Sequence, residues 1–240
     1  MIPWLGRRPA FPPLSQALIE PNGLLAAGGA LSPEWILAAY KHGIFPWFNE
    51  GDPILWWSPN PRMVLYPNEL KVSRSLAKTL RNKAYTIRFD TAFREVMQAC
   101  SATPRRGQDG TWIGPAIIDG YCALHALGYA HSAECWIEGK LVGGLYGIAI
   151  GRMFYGESMF AHQSDASKLA FVHLVRWLES RNFGLIDCQM KTEHLASLGG
   201  RQIDRDLFLQ NLTRLIAEGE PPQRWQYDVT VGASLAEPKP

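Results

Sequence analysis

The sequence predicts an α+β fold, and three observations predict it: period-two hydrophobicity from His131 to Phe160, a long amphipathic helix directly behind it, and then a further buried strand, FGLIDCQ. Strands, one long helix and another strand build a central mixed sheet flanked by helices. At 240 residues, 47% hydrophobic and 19% charged, the chain buries a sizeable core, and its composition excludes a disordered protein.

In chain order, Ser32-Pro33-Glu34 opens a helix that Gly43 closes, over about 33–42. The stretch IFPWFNEGDPILWWSPNPR has too many prolines for a helix or a central strand and too many aromatics for a disordered linker, so packed loops and short edge strands are expected. A small N-terminal unit ends there, giving domains over 1–64 and 65–240. Helical patterns recur at about 73–82, at 91–100 behind an Asp90 cap, and at 116–127 before Gly128. HSAECWIEGKLVGGLYGIAIGRMFYGESMF then reads as three strands joined at Glu138-Gly139-Lys140 and near Gly151-Arg152, an antiparallel meander. Its glycines sit within strands and mark bulges rather than a phosphate loop. The helix over about 165–181 carries Leu169, Val172, Val175 and Leu178 on one face, with Ser164 or Asp165 as its cap.

Several function classes drop out. Nowhere do eighteen uninterrupted apolar residues occur, and the start, MIPWLGRRPAFPP, lacks the apolar run of a signal peptide, so a cytoplasmic protein with no membrane partner is expected. Cys100, Cys122, Cys135 and Cys188 are widely spaced, without a C-x-x-C pair, and read as buried reduced thiols; neither a metal nor another cofactor is called for. GESMF lacks the closing glycine and the strand-turn-helix setting of a nucleophile elbow. Net charge is +2, yet Arg62 to Arg106 holds ten Lys/Arg against three acids, so that segment is +7 and the remainder −5. Such a block is either a solvated face or a polyanion-binding surface.

Two intrusions of carboxylate into apolar strands carry the chemistry. Side chains alternate along a strand, so Asp187 and Gln189 share one side of LIDCQ, while Tyr155, Glu157 and Met159 share a face of RMFYGESMF. A buried carboxylate needs a hydrogen-bonded partner, a raised pKa or a cationic ligand. Among nine tryptophans, most of Trp47, Trp56, Trp57 and Trp112 are expected in packing, with one or two beside the basic segment free to stack a nucleobase.

The strings EPNGLLAAGGALSPEWILAAYKHGIFPWF, GDPILWWSPNPR, GTWI, HSAECW, LVGGLYG, YGESMF, ASK, LIDCQ and HLASLGG occur in this order from about Glu20 to about Arg201. Together they resemble the bacterial leucyl/phenylalanyl-tRNA-protein transferases. The resemblance implies an enzyme that takes Leu or Phe, and sometimes Met, from charged tRNA and links it to the N-terminal Arg or Lys of an acceptor protein, marking it for the N-degron route. It also implies a small N-terminal domain and a larger one resembling the N-acetyltransferase (GNAT) fold. The matching positions make Asp187, Gln189 and Glu157 the catalytic candidates: Asp187 and Gln189 orient and deprotonate the acceptor's α-amino group, Asp187 polarising Gln189, and Glu157 pairs with the incoming cation. The 3′ adenosine would stack on Trp112, Trp56 or Trp57; Met153, Phe154, Met159, Phe160, Phe171 and Leu174 would line the amino-acid pocket; Arg74, Lys78, Arg81 and Lys83 would hold tRNA phosphates. In FAHQSDASK, Ala161 and His162 stand where the resemblance leads to the expectation of a more basic pair, a departure that bears on one phosphate contact. A monomer is expected, since no dimerisation signal is visible.

Two other readings compete. An acyl-CoA-dependent N-acetyltransferase shares the topology, but HQSDASK lacks the pyrophosphate-binding glycines at the long helix's start and places Asp165 where the anion would sit. A non-catalytic RNA-binding module accounts for the basic segment and leaves Asp187, Gln189 and Glu157 unexplained.

Overall fold

The computed structural model describes residues 2–103 and 111–232. In chain order the elements are β1 (Trp4–Leu5), β2 (Leu24–Gly28), α1 (Pro33–Tyr40), β3 (Phe45–Pro46), β4 (Leu55–Trp57), β5 (Arg62–Leu65), α2 (Arg74–Asn82), β6 (Tyr85–Phe89), α3 (Phe93–Ala102), α4 (Pro115–Ala126), β7 (Ala130–Ile137), β8 (Lys140–Ile150), β9 (Met153–Ala161), α5 (Ala166–Ser180), β10 (Leu185–Gln189), α6 (Glu193–Ser197), β11 (Arg201–Ile203), α7 (Arg205–Ile216) and β12 (Asp228–Val231). The fold is therefore mixed α+β, as expected.

Two sheets form. The smaller runs β1-β2-β4-β3 and packs Leu25, Trp35 and Trp56 into a core of its own; β4 lies inside it, not at an edge as its prolines and aromatics had implied. The larger has the order β11-β5-β10-β9-β8-β7-β6-β12, antiparallel except where β10 runs parallel to β9. Helices cover both faces: α1, α3, α4 and α7 contribute Tyr40, Phe93, Tyr121 and Phe208 to one core cluster, whereas α2 and α5 contribute Leu76, Leu80, Leu169 and Val175 to the other. Because β5 already belongs to the larger sheet, the expected boundary at 64/65 falls inside a strand.

The meander follows from its turns. Glu138 and Gly139 have φ of 50° and 74°, the two positive values that match the twist of a two-residue hairpin. Gly151, at φ 59°, turns β8 into β9, with the carbonyls of Leu215 and Glu218 2.4 Å from where a Cβ would stand. Caps differ from expectation at two helices. Asp90, at φ 58°, does not cap α3; its carboxylate accepts from the backbone N–H groups of Ser132 (2.9 Å) and Trp225 (2.7 Å) and from His131 Nδ1 (2.9 Å). The start of α3 is satisfied from across the sheet, where Glu134 accepts the N–H groups of Thr91 (2.9 Å) and Ala92 (2.7 Å). Asp165, at φ 64°, makes no side-chain cap bond to α5 and pairs with Lys168 (3.0 Å).

At the centre of the meander a glycine stands where no side chain fits. In the β8–β9 register Tyr146 faces Ser158 and Gly147 faces Gly156, so Glu157 is the extra residue of a bulge. A Cβ at Gly147 would lie 2.2 Å from the Tyr155 carbonyl and 2.4 Å from the Phe154 ring. Gly147→Ala should cost about 1–3 kcal/mol of stability, read as a lower urea midpoint, the usual penalty for forcing atoms into a full core. An unchanged midpoint would show that the bulge has slack.

Candidate active site

The bulge on β9 decides where the carboxylates meet. Before it, Met153 and Tyr155 face the cluster of α1, α3, α4 and α7, with Phe154 on the opposite face; after it Met159 packs with Phe154's cluster and Phe160 returns to Tyr155's. Glu157 remains on the Tyr155 side, and Met159 does not share its face, contrary to strict alternation. The parallel pairing of β9 with β10 extends over Met153–Tyr155 and Leu185–Asp187, so Glu157 and Gln189 lie where the two strands part.

There the half-buried Glu157 gathers donors from three elements. Tyr40 at the end of α1 donates its hydroxyl to Oε1 (2.6 Å), Tyr121 of α4 donates to Oε2 (3.2 Å), and Gln189 Nε2 donates to Oε1 (3.3 Å). The two tyrosine oxygens are 2.7 Å apart, and Tyr155 in turn donates to the Tyr40 carbonyl (3.1 Å). Burial raises the Glu157 carboxyl to about 7; the tyrosine hydrogen bonds pull it down and Asp187 pushes it up, with Arg62 opposing. Burial and the neighbouring Glu157 push Tyr40 and Tyr121 well above their ordinary range, so both stay protonated donors at neutral pH. The arrangement is a carboxylate poised to exchange a proton near neutrality, held by two phenols and one carboxamide.

Asp187 is different in kind. It is fully buried and pairs bidentately with Arg62, Nε to Oδ1 at 2.8 Å and Nη2 to Oδ2 at 2.7 Å. Its Oδ1 also accepts the backbone N–H of Gln189 (3.0 Å). The contact with Gln189 is thus to the backbone and not to the side chain, which donates to Glu157.

A sequence model described as leucyl/phenylalanyl-tRNA protein transferase matches residues 64–213, and one for the N-terminal domain of that transferase matches residues 29–60. The chain belongs to this family. A leucyl/phenylalanyl-tRNA–protein transferase of Chromobacterium violaceum is 66% identical over 227 residues, 95% of this chain and 97% of the relative, and one of Nitrosomonas europaea is 63% identical over 220 residues, 92% and 93%. Among solved structures, L-PGS from Bacillus licheniformis aligns with 80% of this chain and 73% of its own at a TM-score of 0.42 and 12% identity, too slight a likeness to bear on the chemistry.

The transferase fold brings Glu157, Gln189 and Asp187 to one neighbourhood and scatters other expected residues. Trp56 is 0% exposed, stacked near Trp35 and bonded through Nε1 to the Gly28 carbonyl (2.8 Å), so it offers no face to a base. Trp57 and Trp112 are half-buried. Of the expected pocket residues, Phe154, Met159, Phe171 and Leu174 pack on the opposite face of the sheet from Glu157, and Met153 and Phe160 lie on its face but within the closed core. These six do not line one pocket. A cavity of about 660 Å³ at the far end of the sheet, between Arg152, Trp177, Arg181 and Trp225, contains none of the expected residues.

The basic segment also divides. Arg62 is buried, Arg88 pairs with Asp228 (3.1 Å), Arg94 pairs with Asp119 (3.0 Å), and Arg105 and Arg106 lie outside the described residues. Arg74, Lys78 and Arg81 form an exposed stripe on α2, opposite Leu76 and Leu80, and the half-buried Lys83 reaches Gln163 Oε1 (3.4 Å) and the Ser164 carbonyl (3.5 Å). Sequence reasoning missed Tyr40, Tyr121 and the role of Arg62. The available signal was a phenol on an apolar helix face, Tyr40 four residues after Ile36 and Tyr121 four after Ile117, because a buried hydroxyl must find a partner.

Proposed function

We propose that this chain moves Leu or Phe, and less well Met, from charged tRNA to the N-terminal Arg or Lys of acceptor proteins, marking them for N-degron degradation. Membership of the transferase family along nearly the whole chain carries the reading. The site supplies chemistry suited to it. An acceptor enters with its α-ammonium against Glu157 and sheds one proton to solvent; the Glu157 carboxylate then takes a second proton as the freed amine nitrogen attacks the ester carbonyl carbon. The Gln189 carboxamide oxygen accepts a second N–H and aims the lone pair. As the tetrahedral intermediate collapses, the peptide bond stands, the ester C–O bond breaks and the ribose oxygen leaves with a proton returned through the Glu157–tyrosine network. Asp187, fully buried and held bidentately by the Arg62 cation, is not the base in this scheme; it holds Gln189 in place.

Trp57 or Trp112 stacks the terminal adenosine, and the α2 stripe holds acceptor-stem phosphates without reading sequence. The larger sheet, with its parted parallel pair, forms the GNAT-like unit, the smaller sheet the N-terminal unit, and the enzyme acts as a monomer in the cytoplasm. No described helix is long and apolar enough to cross a membrane.

Labelled Leu offered on Leu-tRNA to a peptide beginning with Arg should be transferred, and blocking the peptide's N-terminus should abolish transfer. Transfer from acetyl-CoA with none from the tRNA would overturn the donor assignment. Charge reversal of Lys78 and Arg81 should weaken tRNA binding and reduce the slope of log K against log salt by about 1 for each phosphate no longer neutralised. Filter binding across a salt series reads this; an unchanged slope would remove the stripe from the interface.

A further inference from the structure

Arg62, the first residue of β5, is 1% exposed, and its guanidinium lies between the rings of Phe45 in β3 (4.8 Å) and Phe208 in α7 (4.7 Å). Its Nη1 has no hydrogen-bond partner among the described residues. A buried ion pair is seldom more stabilising than apolar residues of equal volume, and an unsatisfied N–H weakens the case further. Stability does not explain the pair, so what it holds in place becomes the question.

What it holds is a backbone turn. Gln189 sits at φ 54°, in the left-handed region that side chains seldom adopt, and the β10–β5 register slips between Asp187 and Gln189. The Gln189 N–H is bonded to Asp187 Oδ1, the same oxygen that accepts from Arg62 Nε. That turn sends the Gln189 side chain back to Glu157 Oε1 (3.3 Å). The contacts run without a gap from the aromatic sandwich through Arg62, Asp187 and the Gln189 backbone to the carboxamide.

We infer that Arg62 is a positioning residue for the transfer reaction: by gripping Asp187 in a bidentate pair it fixes the left-handed turn that presents Gln189 beside Glu157. The inference rests on the transferase reading for its chemistry and on the contacts above for its geometry. Arg62 touches no substrate in this scheme. The planar fork is what matters, because a lysine ammonium keeps the charge and loses the two parallel bonds.

Arg62→Lys, with Arg62→Met as the volume-matched neutral variant, tests this in two ways. Without substrate, the Gln189 N–H should exchange with solvent about ten-fold or more faster in Arg62→Lys, while amides of β8 such as Ile148 keep their protection. With substrate, kcat for Leu transfer should fall about 10- to 100-fold at unchanged KM for Leu-tRNA, the scale of a small misplacement of a reacting group. Arg62→Lys in an Asp187→Asn background should cost no more than Asp187→Asn alone, since both act through one turn. Wild-type kcat together with unaltered Gln189 exchange would overturn the proposal, as would exchange accelerated equally across β8, β9 and β10, the signature of a residue that only holds the fold. A wild-type protein that transferred nothing from Leu-tRNA would refute the transferase reading, and the exchange result would still decide whether Arg62 fixes Gln189.

Discussion

Glu157→Gln is expected to lower kcat/KM for transfer by about 10²- to 10⁴-fold, the range in which a positioned general base contributes. The accompanying pH profile is the sharper reading. With the carboxyl raised to about 7, the base form is the minority below that value, so wild-type kcat/KM should climb with pH along a limb through about 7 and level off only once the acceptor's own amine is deprotonated as well. In the Gln variant this limb should vanish, leaving the ionisation of the acceptor's own α-amino group, near 7.7–8.0 in an unperturbed chain. The same raised value has a consequence for stability. The folded state holds its proton to higher pH than the unfolded one, so stability should decline as pH rises from the ordinary 4.5 through about 7, and Glu157→Gln should flatten that decline. A Gln variant with near wild-type kcat/KM and an intact limb would transfer the proton-accepting role elsewhere.

Asp187→Ala should behave chiefly as a stability variant. Removing the carboxylate strands the Arg62 guanidinium, 1% exposed, among Phe45 and Phe208 with no counter-charge. Breaking such a pair from one side costs about 3–5 kcal/mol, against the far smaller cost of losing an exposed pair such as Arg94–Asp119. For a chain of this size each kcal/mol is about 2–4 °C in Tm, so calorimetry should show a fall of roughly 6–20 °C. Activity should be compared per folded molecule, because the turn at Gln189 loses its acceptor as well. A Tm within about 2 °C of wild type would mean that the buried arginine finds other partners.

The segments the sequence placed best were those whose pattern is local. The 131–160 meander has alternation with glycine turns, α5 has a continuous apolar stripe, and β10 has an apolar run between Gly184 and an exposed loop; each appears where the pattern put it. The short strands β1, β2 and β11 have no signature of their own and exist through their partners, so they were not foreseen. The Asp90 cap failed for a related reason: Glu134, a carboxylate on β7, reaches the start of α3 across the sheet and takes the role that proximity in sequence gave to Asp90.

The site divides along the same line. Composition, strand alternation and the ordered strings were enough to name Glu157, Asp187 and Gln189 and the family, because a carboxylate or amide inside an apolar strand is visible one residue at a time. Which carboxylate is locked to a cation and which is held only by neutral donors was decided by tertiary structure alone. One bulged residue turns Met159 away and leaves Glu157 among Tyr40, Tyr121 and Gln189, while Arg62, which looked like part of a basic surface, is drawn inside by Asp187. Alternation assumes an unbroken register and a charge count assumes exposure. Both assumptions fail where burial forces each polar group to find its partner from a distant part of the chain.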